Sequence, residues 1–275
     1  MTVDYSQLPL GKQTAYSDQY NASLLVAVPR VQTRDFWHQE IRLPFYGEDN
    51  WTGYELSWLN KKGKPQVACI LLSYDALTPN IVESKSLKLY LNSFNQTRLD
   101  NPEQLIQTIT KDIGSVVAGI INVKLVCETL DAVLTIRPWP DQCIDDLDVA
   151  IDEYAVDPLL LQCDTTKIID ETLCSHLLRS NCPVTGQPDW ASVRIYYRGS
   201  KISAESLLRY ICSYRLHQGF HEQCIERIFC DIWTQCQPEK LSIEGRFTRR
   251  GGLDINPFRT SHADMHPTYA RQLRQ

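Results

Sequence analysis

Tyr54-Glu55-Leu56-Ser57-Trp58-Leu59 and Gln66-Val67-Ala68-Cys69-Ile70-Leu71-Leu72-Ser73-Tyr74 are two runs of strand-forming residues joined through Lys62-Gly63-Lys64-Pro65. Short apolar and aromatic runs on either side of a glycine- and proline-bearing turn read as a hairpin. Before it, the chain reads as a loop-rich arm to about Asn50. After Thr78-Pro79-Asn80 the period changes, and Val82 to Asn95 reads as a first helix. A second helix runs from Asn101 to about Ile113, where Leu105, Ile106, Ile109 and Ile113 recur at helical spacing. Asn101 is placed to cap it, Pro102 suits its first turn, and Glu103 meets the positive end of its dipole. Asn122 to Leu130 and Ala132 to Arg137 then read as strands. The order is strand, strand, helix, helix, strand, strand, an α+β arrangement.

The second half repeats that order after an irregular arm of its own. Ser192 to Tyr197 alternates as a strand and Arg198-Gly199 reads as a turn. A helix capped by Ser203 buries Leu207, Leu208, Ile211 and Tyr214 until Gly219 interrupts it. From Phe220 to Cys236 a further helix presents Ile225, Ile228, Phe229, Ile232 and Trp233, and Pro238 stops it. Leu241 to Thr248 is strand-like, and Gly251-Gly252 opens the next turn. Between Pro138 and Thr166 the chain carries no Lys or Arg while Asp141, Asp145, Asp146, Asp148, Asp152, Glu153, Asp157 and Asp164 are all acidic. Such a run reads as a solvated connector. The expected division is therefore a module at 1–140, an acidic connector at 141–165 and a second module at 166–275.

At 43% hydrophobic and 22% charged residues, the 275-residue chain excludes a disordered or low-complexity protein. Its longest apolar runs, such as Leu24 to Val28, fall well short of the ~18 residues of a membrane span. No basic start leads into an apolar core, so no secretory signal is expected. Ten cysteines without such a signal are expected as free thiols in the reducing cytoplasm. A net charge of −5 argues against direct nucleic-acid binding, which rests on many cationic groups meeting phosphates. There is no Cys-x2-Cys pair, and Cys224, Cys230 and Cys236 do not align on one helix face, so no metal is expected. Neither a Gly-x-Gly-x-x-Gly nor a Walker-type loop is present.

Four places can carry chemistry. Cys182 lies in Asn181-Cys182-Pro183-Val184-Thr185-Gly186-Gln187-Pro188-Asp189, a constrained loop in which an exposed side chain is expected. A thiol needs a lowered pKa or a nearby base to act as a nucleophile, and Asp189 or His221 offers that proton chemistry. Glu222 follows His221 at a helix start. A carboxylate there either meets the helix dipole or accepts two parallel N–H bonds from a guanine-type edge. Glu83 in Glu83-Ser84-Lys85-Ser86-Leu87-Lys88 invites the same two readings, and Lys85 and Lys88 share a face suited either to phosphate or to solvent. The basic C-terminal stretch, with Lys240, Arg246, Arg249, Arg250, Arg259, Arg271 and Arg274, suits an anionic ligand.

Together, Glu83 to Tyr90, the Cys182-to-Asp189 loop and Phe220-His221-Glu222-Gln223-Cys224 resemble the 7-cyano-7-deazaguanine reductases, NADPH-dependent nitrile reductases of queuosine biosynthesis, in their long two-module form. The resemblance extends from Leu10-Gly11-Lys12 to Thr248-Arg249-Arg250-Gly251-Gly252-Leu253-Asp254-Ile255-Asn256-Pro257. The filled Glu-Ser-Lys-Ser-x-Lys pattern is what separates these enzymes from GTP cyclohydrolase, which shares the tunnelling fold.

The resemblance implies two tandem tunnelling-fold modules, each a four-stranded antiparallel sheet with two helices on one face, assembling into barrels as a homodimer, with a site that needs both modules. It implies that Cys182 attacks the nitrile to form a thioimide, that Asp189 donates a proton, and that two NADPH per turnover complete the four-electron reduction to the aminomethyl product. His221 would close over the substrate and assist proton transfer. Val82, Glu83, Ser84, His221 and Glu222 would bind 7-cyano-7-deazaguanine, while Ser84, Lys85, Arg250 and Gly251 would bind NADPH. A thiol-dependent nitrile or amide hydrolase and a non-catalytic purine- or pterin-binding protein of the same fold are the competing expectations.

Overall fold

The structure, a computed structural model, describes residues 16–37, 42–126 and 135–275. The chain divides into two compact units. The first comprises Met1–Thr33, Asp49–Asp131 and Arg249–Asp254, and the second Arg34–Glu48, Ala132–Thr248 and Ile255–Gln275.

In the first unit, β1 (Ala27–Pro29) pairs antiparallel with β4 (Asn80–Val82). The expected hairpin is formed by β2 (Tyr46–Leu59), of which the first three residues lie in the second unit, and β3 (Pro65–Asp75), with β2 beginning earlier than the sequence suggests. Asn60 builds the turn: its side-chain oxygen accepts from the Lys62 and Lys64 amides, and Gly63 takes the left-handed conformation (φ 80°) there. Antiparallel to β3 runs β5 (Ile121–Val126), in the register Cys69↔Val126 to Tyr74↔Ile121. The remainder of the two strands expected to follow Asn122 falls largely outside the described residues, as does Leu10-Gly11-Lys12.

Two helices supply this unit's core. The first, α2 (Ser84–Asn92), follows the four-residue helix α1 (Arg30–Thr33) in chain order and buries Leu87, Leu89, Tyr90 and Leu91. It starts two residues later than expected because Val82 is held in β4. The next, α3 (Pro102–Val117), buries Leu105, Ile109, Ile113 and Val117, one residue per turn on one face. Its Asn101 cap accepts from the Gln104 amide at 2.8 Å. Asn101→Ala should cost about 1 kcal/mol of stability, read as a lowered urea midpoint.

The second unit's described strands form an open sheet, ordered β10-β9-β8-β7-β6. These are β6 (Gln142–Cys143), β7 (Cys163–Asn181), β8 (Pro188–Ile202), β9 (Lys240–Phe247) and β10 (Leu253–Thr260), of which the first two residues of β10 lie in the first unit. Two sequence expectations fail here. Most of the anticipated irregular arm is the long strand β7, whose polar residues hid its period. Arg198-Gly199 is no turn, because β8 continues through it to Ile202. Gly199 is required there by close packing: a Cβ would approach the Pro238 Cα to 2.9 Å.

Two carboxylates of the acidic stretch are bound within this unit. Asp141 pairs with Arg194 at 2.6 Å, and Asp145 accepts from the Ser175 hydroxyl and the His176 amide. The helices are α4 (Ala204–Ser213), capped by Ser203 as expected, and α5 (His221–Cys236). Buried Glu226 of α5 accepts from Arg34 at 2.7 Å and from Arg259 at 2.8 Å, and both Glu226 and Arg259 are shielded from solvent. Glu226→Ala would remove the carboxylate that both guanidinium groups share, and a loss of about 3–5 kcal/mol is expected in urea unfolding.

Candidate functional site

The hairpin that carries the nucleophile belongs to the second unit. β7 and β8 pair up to Ser180↔Asp189 and Asn181↔Pro188, and the Cys182 amide donates to the Gln187 carbonyl at 2.8 Å. Cys182 thus sits where the hairpin opens into its loop. Gly186 (φ 67°) completes the loop, and its amide donates back to the Cys182 carbonyl. Continuing the strand alternation, Cys182 shares the inward face of Ser180 and Asp189. That accounts for a correction: the side chain is only 1% exposed, where the loop setting predicts an open one.

Backbone bonds draw this hairpin to the start of α5. The Asn181 amide donates to the His217 carbonyl at 2.7 Å, and the Gly219 amide to the Asn181 carbonyl at 3.1 Å. The residue before the thiol is therefore clamped to the turn that precedes His221. His221 Nε2 lies 3.4 Å from an Asp189 carboxylate oxygen, and its ring stacks on Phe247 with centroids 4.0 Å apart. Both groups are largely withdrawn from water, at 6% exposure for Asp189 and 9% for His221. Glu222 is buried in the first turn of α5, whose first residue follows Phe220 without a side-chain cap.

Cys224 lies one turn further along α5. Its thiol contacts Ser180, and burial pushes it up to about 12, with Asp189 and Glu222 adding to the shift. It is protonated and inert at neutral pH. Burial also pushes His217 down to about 4, with Arg227 lowering it further, so that imidazole is neutral. Sequence reasoning missed Ser180, Cys224 and Phe247. Only cross-strand register and helix docking bring them to Asp189 and His221, and neither is written in local spacing.

The first unit carries the other expected residues. Glu83, fully buried, caps α2: one carboxylate oxygen accepts from the Lys85 amide at 2.9 Å and the other from the Ser86 amide at 2.7 Å. Burial raises its pKa, while those two amides and the Lys85 charge pull it back. Val82 ends β4, and Ser84 and Lys85 form the first turn of the helix. Arg250 pairs back to Leu253 across a tight turn in which Gly251 (φ 62°) and Gly252 (φ 78°) are both left-handed. A Cβ on Gly251 would come within 2.6 Å of the Lys88 ammonium, and one on Gly252 within 2.5 Å of the Glu55 carboxylate. The turn bearing Arg250 and the lysine face of α2 therefore lie together, with Lys88, itself 3.9 Å from Glu55, packed against the glycines. That donor set fits the anionic part of a dinucleotide.

Among the described residues, one group has metal-ligating geometry: Cys143, Cys174 and His176. No described helix is long and apolar enough to cross a membrane.

Residues 16–125 match the family model described as nitrile reductase, 7-cyano-7-deazaguanine-reductase N-term, and residues 188–266 match that of QueF-like protein. Curated relatives are similar over nearly their whole length. A protein of Chromobacterium violaceum is 50% identical over 94% of this chain and 93% of its own. One of Bordetella avium is 49% identical over 98% and 99%, and one of Cupriavidus taiwanensis is 50% identical over 97% and 98%. Each is named NADPH-dependent 7-cyano-7-deazaguanine reductase. The solved structure of the archaeosine synthase QueF-Like in the apo form overlays with a TM-score of 0.30 at 17% identity, over 36% of this chain and 96% of that one, an overlay too loose to bear on the fold.

Proposed function

The chain belongs to the NADPH-dependent 7-cyano-7-deazaguanine reductases, and we propose that it reduces the nitrile of 7-cyano-7-deazaguanine to the aminomethyl group through a thioimide on Cys182. In this reading the Cys182 thiolate adds to the nitrile carbon while Asp189 gives a proton to the nitrogen, where negative charge develops. The observation that carries it is the 3.4 Å approach of His221 to Asp189, beside the hairpin mouth that holds the thiol. His221, backed by Phe247, orients the acid and covers the substrate. NADPH, when bound, supplies the hydride for each of two successive two-electron reductions. The buried setting of Asp189, His221 and Glu222 keeps water from the imine formed between them, which hydrolysis would otherwise divert.

Glu222 and Glu83 are assigned to the deazaguanine edge, whose ring N–H and exocyclic amine present parallel donors to a carboxylate. Glu83 has lone pairs beyond those its capping bonds use. Val82 and Ser84 line that end. Ser84, Lys85, Arg250 and Gly251 are assigned to NADPH, with Arg250 on a phosphate. Glu222→Leu removes a charge-assisted contact worth about 1.5–3 kcal/mol. Substrate affinity should therefore fall roughly 10- to 100-fold in a calorimetric titration, with the fold intact by circular dichroism. Unchanged affinity would remove Glu222 from the substrate edge.

Product analysis tests the whole reading. Incubation with the nitrile and NADPH should consume two NADPH for each amine formed. A carboxylic acid formed without NADPH consumption would make the protein a thiol hydrolase, and binding without any turnover would make it a purine-binding protein. We further assign the two units to tandem tunnelling-fold modules that complete barrels in a homodimer, supported by the helix pair and antiparallel strands of each. Sedimentation equilibrium at twice the chain mass is the expected result. A cytoplasmic location accords with the free thiols of the nine described cysteines.

A further inference from the structure

We propose that Cys143, Cys174 and His176 form a binding site for a thiophilic divalent cation of the zinc type, separate from the thiol that attacks the nitrile. The site is assembled by sheet pairing. β6 runs parallel to β7 with Cys143 directly opposite Cys174, and His176 follows two residues along the same strand. One ligand atom from each of the three lies within 4.8 Å of the others. Tetrahedral zinc with metal–sulfur bonds of about 2.3 Å holds two thiolates about 3.8 Å apart, so small side-chain adjustments suffice.

Other contacts organise these ligands. His176 Nδ1 lies 2.7 Å from the Ser192 hydroxyl, and the ring stacks on Trp139 at 6.4 Å between centroids. With Nδ1–H donating to that hydroxyl, Nε2 carries the lone pair for a metal, the outer contact metal-binding histidines usually have. Asp145 accepts from the Ser175 hydroxyl at 2.6 Å and the His176 amide at 2.9 Å. It thereby fastens the segment just after Cys143 onto β7. Cys143 is exposed, which gives the ion a path of entry and a solvent molecule the fourth position.

The charges balance. A dication that displaces both thiol protons into solvent leaves a neutral Cys2His site, with no change of oxidation state. The zinc ligand types are soft thiolate and imidazole, which select against magnesium and calcium.

Full-length reduced protein, exchanged into chelator-free buffer, should retain one equivalent of zinc through gel filtration. With cobalt(II) as probe, it should show thiolate charge-transfer and tetrahedral ligand-field bands. Cys143→Ser, at an exposed position that does not threaten folding, should weaken zinc binding at least about 10-fold, and Cys143→Ser/Cys174→Ser should abolish the cobalt bands. NADPH-dependent turnover of Cys143→Ser should equal that of the parent. No retained zinc, a cobalt spectrum unaltered by both variants, or a Cys143–Cys174 disulfide that survives excess thiol reductant would each overturn the assignment.

Discussion

Cys182→Ala should leave the protein folded and able to bind 7-cyano-7-deazaguanine, yet unable to form a covalent adduct and slower in NADPH oxidation by on the order of 10⁴-fold or more, as removal of an enzymic nucleophile typically is. The parent mixed with the nitrile alone should gain the full mass of the substrate, since addition of a thiol across a triple bond expels no leaving group. Intact-protein mass spectrometry reads that gain directly. The variant should show none, even though nine other cysteines remain. Cys224 sharpens the test, because it contacts Ser180 and feels the charges of Asp189 and Glu222. Its thiol, pushed up to about 12 by burial, is a poor nucleophile at neutral pH, so Cys224→Ala should still form the adduct. An adduct that persists in Cys182→Ala and vanishes in Cys224→Ala would move the chemistry from the hairpin mouth to α5. Removal of a small buried side chain at position 182 leaves little cavity, so a folding defect is not expected to mask the result.

The parts of this arrangement that were legible in the sequence are those governed by local chemistry. The Lys62-Gly63-Lys64-Pro65 turn, the Asn101 and Ser203 caps and the face of α3 follow from residue type and spacing alone, and the structure has them. What escaped notice depends on contacts distant in sequence. β7 carries charged and polar residues along much of its length, so its strand character comes from pairing with β8 rather than from its own pattern. Gly199 looked like a turn glycine, but the neighbour that demands it is Pro238. Cys182 was expected to be open because its loop is rich in proline and glycine, whereas the hydrogen bond to Gln187 turns it inward. Cys143, Cys174 and His176, the side chains of the proposed cation site, lie at no recognisable spacing, since a two-residue strand brings the first to the others. Glu222-x-x-x-Glu226 held a readable clue: a second carboxylate one turn along on an otherwise apolar face requires buried cations, which Arg34 and Arg259 supply.

Asp189→Asn is expected to slow adduct formation by on the order of 10²- to 10⁴-fold while equilibrium binding of the nitrile stays close to that of the parent. The amide matches the carboxyl in size and still hydrogen-bonds, but it has no proton to give the nitrogen as sulfur adds to the carbon. A nitrogen anion in a site this shielded from water cannot be rescued readily by solvent, so the loss should fall on the covalent step. His221 provides the rival account, in which Asp189 only orients an imidazole that itself gives the proton. A double-mutant cycle distinguishes them. If Asp189 is the donor, His221→Asn should slow addition by a smaller factor than Asp189→Asn, because it removes only an orienting neighbour and the stacking partner of Phe247. If His221 is the donor, its substitution should cost at least as much as that of Asp189, and adding Asp189→Asn to it should cost nothing more. Rapid-mixing measurement of thioimide formation, before any hydride is transferred, gives the rates for all four proteins. A His221→Asn defect equal to that of the double variant would transfer the acid's role from the strand to the helix.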